Sequence, residues 1–128
     1  MTVSVSLASS NNMAGSLNTD IGASHKLNLH NAATTILATM TYAAATGTVS
    51  TVAGAEAITY SEASYTDDET PAVAGTVSYA TIATSADLEV VRFSDPTNEL
   101  GLSSTSILTT EPVRVTTDIV IKLPNSTA

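Results

Sequence analysis

Polar and apolar positions alternate at the start of the chain. Val3, Val5 and Leu7 fall on one side of an extended segment, and Thr2, Ser4 and Ser6 fall on the other. Period two predicts a strand over 2–7 with one buried face. Ser9, Ser10 and Asn11 are residue types that open helices, and Met13, Leu17 and Ile21 follow at four-residue steps before Gly22. This predicts a helix over 10–22 with Met13, Leu17 and Ile21 as its buried stripe, closed by the glycine.

From there the period returns to two. Lys26 to His30 alternates around Leu27 and Leu29, and Thr35 to Tyr42 reads as a second extended run. Gly47 and Gly54 punctuate a small-residue stretch around Val49 and Val52, and Ile58 to Tyr60 opens a further strand. Ser61 to Ala74 reads as loop. Beyond Gly75, Val77 and Tyr79 share one face with Thr81, while Thr76, Ser78, Ala80 and Ile82 share the other. Leu88 to Phe93 predicts another strand, ended by Asp95-Pro96, a turn-initiating pair. Leu100, Leu102 and Ile107 mark two short strands. Last comes the longest alternation, with Val113, Val115, Thr117, Ile119, Ile121 and Leu123 on one side and Pro124 as its stop.

Eight to ten short strands without strand–helix–strand alternation predict an all-β fold. The expectation is an antiparallel β-sandwich, jelly-roll-like, with one short N-terminal helix. Residues 1–128 are read as a single domain: an N-terminal strand or arm over 1–8, a helix over 10–22 and the sandwich over 25–124.

Composition narrows the function classes. Thr and Ser together fill 38 of 128 positions, charged residues are only 12%, and the balance of 4 basic to 12 acidic gives a net charge of -8. A nucleic-acid partner would be bound against that repulsion, so none is expected. No run of eighteen apolar residues occurs and the first residues lack a basic, then apolar leader, so neither a membrane span nor a secretory signal is expected. There is no cysteine, hence no disulfide and no thiolate chemistry. With five aromatic residues in all, the core must be built from aliphatic side chains. Such a thin core leaves apolar surface to be covered between subunits.

No constellation for catalysis assembles from the residues. His25 and His30 flank a strand five residues apart, fall on opposite faces, and read as surface histidines beside turns. Asp67, Asp68 and Glu69 form the densest acidic cluster but lack the glycine and terminal glutamate of a calcium loop, so they read as a solvated loop tip, with an adventitious cation as the alternative. No G-x-S-x-G elbow, G-x-G-x-x-G or phosphate loop is present. Tyr60 and Tyr65 read as core or rim. The protein is therefore expected to be no enzyme, with no catalytic, cofactor or metal site.

Three stretches carry a resemblance: Asn12-Met13-Ala14 through Asp20-Ile21-Gly22-Ala23 to Lys26-Leu27, then Ala74-Gly75-Thr76-Val77-Ser78-Tyr79-Ala80, then Leu100 to Ile107 with the closing alternation to Pro124. In these the chain resembles a family of small proteins encoded by tailed bacteriophages and prophages. It departs from that pattern at Leu29-His30-Asn31, at Ala80-Thr81 and at Thr110-Glu111-Pro112. The resemblance implies a capsid cement, or decoration, protein on the outer surface of the virion. Its partners would be the major capsid protein and itself, as a homotrimer. The rival implication is a tail or fibre component contacting host glycan. The arm, through Val3, Val5 and Leu7, is the candidate partner interface: it either adds to a neighbour's sheet or pairs in its own, beside Val113 to Leu123.

Overall fold

Lys26–His30, expected as an alternating strand, lies at the centre of the larger of two main sheets. This emerges from a computed structural model that describes residues 5–43, 46–52, 55–96, 100, 105–123 and 126–127. In chain order the strands are β1 (Val5–Ser6), β2 (Lys26–His30), β3 (Ile36–Tyr42), β4 (Thr48–Val52), β5 (Ala55–Tyr60), β6 (Tyr65–Thr66), β7 (Gly75–Thr76), β8 (Tyr79–Ala83), β9 (Glu89–Phe93), β10 (Ser106–Ile107), β11 (Ile119–Lys122) and β12 (Ser126–Thr127). The helix α1 covers Leu7–Ile21.

The larger sheet runs β6-β3-β2-β8-β9 and is antiparallel throughout. Leu27 stands opposite Met40 on one side and Ile82 on the other, and Leu29 opposite Ala38 and Ala80. All six are buried, so one face of this sheet is a continuous aliphatic floor. The smaller sheet runs β11-β5-β4, with Ile58 opposite Ile121 and Val49 and with Tyr60 opposite Ile119. Side chains from both sheets and from α1 join one core cluster. Each fully buried Leu or Ile in it contributes about 1.5–3 kcal/mol. The architecture is an all-β sandwich with a helix, as the periodicity predicts.

The helix differs in its start and its face. It begins at Leu7, three residues before the expected start at Ser10, and takes in Ser9. Ala14 and Ile21 are buried and Leu17 is half-buried, while Met13 is 44% exposed. Steps of four drift by about 40° around a helix of 3.6 residues per turn, which carries Met13 about 80° from Ile21 to the edge of the buried face, whereas Ala14 lies about 20° from Ile21. The small side chain of Ala14 lets the helix approach the sheet instead. Gly22 ends α1 as expected, at φ 71° with its N–H donating to the Asn18 carbonyl.

Other strands are shorter than the pattern predicts. The run from Gly75 breaks at Val77 and Ser78, which donate to the carbonyls of Thr105 and His30 and so turn the chain from β7 into β8. Along 113–123 the burial alternates, with Val113, Val115 and Ile119 inside, but the ladder covers only Ile119–Lys122. Thr117 points out of the core and its hydroxyl donates to the Leu100 carbonyl, while the Asp118 carboxylate accepts from the Glu62 N–H. Leu100, expected in a strand, is helical and fully buried, and Leu102 lies outside the described residues.

Candidate functional site

His25 sits immediately before β2, at the seam where both sheets and the end of α1 meet. The expectation of a surface histidine is overturned: its relative exposure is 0%. Its ring stacks on Tyr42 of β3 at 4.6 Å and 19°, and meets the rings of Tyr60 and Tyr65 edge-on at 4.8 and 5.5 Å. Nε2 lies 2.7 Å from the Tyr65 hydroxyl and Nδ1 3.4 Å from the Gly22 carbonyl. A carbonyl can only accept, so Nδ1 carries the proton and Nε2 accepts from the phenol. Burial pulls the His25 pKa down to about 4, with the contact to Gly22 opposing weakly, so the ring is neutral at pH 7. The same burial pushes the Tyr65 and Tyr60 phenols up, out of reach of ordinary pH.

The cluster continues to α1. Tyr60 donates its phenol proton to Asn18 Oδ1 at 3.0 Å, Asn18 Nδ2 donates to the Gly47 carbonyl at 3.0 Å, and the Gly47 N–H returns to Asn18 Oδ1 at 3.1 Å. Three of the four tyrosines and one of the two histidines are thus gathered in one closed, largely buried array. Tyr60 and Tyr65 are core residues, as the sequence allowed. Their meeting with His25 had no local signal, because the partners lie 17 to 40 positions along the chain.

His30 falls on the opposite face of β2, as its spacing from His25 predicts. It is half-buried, with Nδ1 donating to the Thr34 carbonyl at 3.2 Å and Nε2 accepting from the buried Thr81 hydroxyl at 2.9 Å. Its ring stacks on Tyr79 at 4.6 Å and 4°, and the Arg92 guanidinium lies 4.5 Å from the Tyr79 centroid. β2 and β9 flank β8, so these groups take up Tyr79 from its two sides. Beside them Thr39 donates its hydroxyl proton to the buried Asn28 at 2.7 Å.

The acidic turn is tied down rather than solvated. Asp68 accepts the Thr39 N–H at 2.9 Å and the Thr70 N–H at 3.2 Å, and its backbone bridges to Val113. Asp67 pairs with Arg114 at 3.5 Å, and Glu69 is exposed. Among the described residues no three His, Asp or Glu side chains are grouped to hold a metal ion. A shallow open groove of about 550 Å³ on the outer side of α1 is lined by Asn12, Gly15, Ser16, Thr19 and Asp20.

The candidate arm is divided. Val3 lies outside the described residues, Val5 is in β1, and Leu7 is the first residue of α1, so no single strand carries all three. The backbone of β1 pairs in parallel with β12, Val5 opposite Ser126 and Ser6 opposite Thr127, and not beside 113–123. No helix among the described residues is long and apolar enough to cross a membrane. No known protein family, curated protein or solved structure matches the chain.

Proposed function

We propose that this protein is a non-enzymatic structural component of a virion: a cement, or decoration, protein that binds the outer surface of the major capsid protein shell as a homotrimer and stabilises it. The observation that carries the reading is the character of the outer surface. Hydroxyl side chains such as Thr41, Thr48, Ser50, Thr66, Thr76 and Ser78 occupy exposed strand and connecting positions. Exposed aliphatic residues stand among them. Ile36 adjoins Leu37, Val73 lies two residues before Gly75, and Leu108 follows Ile107. Leu37 packs at Gly75, and Gly75 faces Ile107 in the β7–β10 ladder, so all three exposed residues flank one junction. A weakly charged, hydroxyl-rich surface with exposed aliphatic residues suits close, permanent contact with protein.

The charge supports an outward position. Lys26, Arg92 and Arg114 are each paired with a carboxylate, to Asp87, Glu89 and Asp67, so acids remain in excess. A face turned toward packaged DNA would need the reverse. Both histidines are engaged in internal hydrogen bonds, which supports the non-enzymatic reading.

Adding purified protein to shells assembled from the major capsid protein tests the proposal, with copies counted by mass spectrometry. Saturable occupancy of the shell at many copies, with higher shell melting temperature, is the expected result. Absence of binding would overturn it, and glycan binding by the isolated protein would favour a tail or fibre role.

A further inference from the structure

We infer that His25 and its three tyrosines form an acid-sensitive latch across the seam of the two sheets, closed by the neutral imidazole and opened when that ring takes up a proton. The latch is built from four separate pieces of chain. The Gly22 carbonyl comes from the end of α1, Tyr42 from β3, Tyr65 from β6 and Tyr60 from β5. Tyr42 and Tyr65 belong to the larger sheet and Tyr60 to the smaller one, so one imidazole holds both.

Its two nitrogens are matched to neighbours in only one protonation state. Neutral, the ring donates once, toward Gly22, and accepts once, from Tyr65. Protonated, it donates at both positions, and Tyr65 must turn its own O–H away from the 2.7 Å contact and lose the acceptor it had. The titratable groups facing the ring are Tyr42, Tyr60 and Tyr65, all phenols. Among the described residues no carboxylate pairs with it, so the added positive charge has no counter-ion inside the seam. An uncompensated charge at a fully buried position is relieved by letting water in, which means parting Tyr60 from Tyr42 and Tyr65. Burial delays the event to well below the usual histidine range, to about pH 4.

The latch goes beyond the cement reading and does not depend on it. The full-length protein is titrated from pH 7.5 to 3, following near-ultraviolet circular dichroism of the tyrosines and the imidazole resonances of both histidines by NMR. The expected result is loss of the tyrosine signal in step with protonation of His25, the open fraction rising about tenfold per pH unit as expected for one proton. His25→Phe should keep its tyrosine signal through the same range. Protonation of His25 with the tyrosine signal unchanged would overturn the latch, and so would an identical transition in His25→Phe. Should that variant fail to fold, the wild-type NMR titration decides alone: a tyrosine transition displaced from the His25 titration refutes the coupling.

Discussion

Gly47 passes so close over Tyr60 that a Cβ at this position would lie 2.6 Å from Cε1 of the ring, and 2.9 Å from Cγ2 of Ile58. Both neighbours are fully buried and held, Tyr60 by its bond to Asn18. Gly47→Ala should therefore force the ring or the chain aside and lower stability by about 1–3 kcal/mol. Urea unfolding checks this; a midpoint equal to that of the parent would show that the seam yields freely.

Thr34 holds the opposite kind of cost. It closes the turn between β2 and β3 at φ 70°, where a β-branched side chain crowds its own backbone. Asn31 secures the turn through Oδ1, which accepts from Ala33 and Thr35, so the conformation does not depend on the threonine side chain. Thr34→Asn should raise stability by about 1 kcal/mol, read as a higher thermal midpoint.

Stability should depend on pH through His25. The folded ring resists protonation down to about pH 4, whereas in the unfolded chain it titrates near 6.5. Between these values the unfolded chain binds the extra proton, so stability falls as the pH drops from 6.5 to about 4 and this contribution then levels off. The span corresponds to about 3 kcal/mol at 1.36 kcal/mol per pH unit. Subtracting the profile of His25→Phe removes the carboxylates, which titrate in both proteins. A flat difference would contradict the assignment.

Removing residues 2–6 should leave a folded protein, because α1 starts at Leu7 and the ladder lost among the described residues is the two-pair β1–β12 one. Amide exchange at Ser126 and Thr127 should accelerate while that of β2 stays protected. Collapse of β2 protection on truncation would place the first strand in the core.

What could be read from the sequence follows the range of the forces involved. β2 appears at its expected residues because Leu27 and Leu29 alternate with the polar Lys26, Asn28 and His30, a signal contained in five residues. The alternation from Val113 to Leu123 gives burial correctly but not hydrogen bonding, since period two reports side-chain direction and not whether a neighbour strand is present. Met13 was favoured over Ala14 because hydrophobicity marks size, whereas the packing there needed closeness. Asp68 looked like solvent-facing charge until Thr39, 29 positions earlier, supplied its N–H. His25 was the largest miss. Nothing near it in the chain announces Tyr42, Tyr60 or Tyr65, and only strand pairing brings them together.

The place of β2 also governs the order in which the molecule can assemble. Its pairing with β3 and the pairings of β4 with β5 and β8 with β9 are hairpins between consecutive strands, so each closes a short stretch of chain. The β2–β8 ladder pairs His30 with Tyr79 and Asn28 with Thr81, bringing together His30 and Thr81 from 51 residues apart, and loses far more chain entropy before any contact repays it. Three hairpins should therefore form in the earliest phase of refolding. Docking of β8 on β2 then sets the slow step, and until it occurs Leu27 and Leu29 face water on an open edge where intermolecular pairing competes with folding.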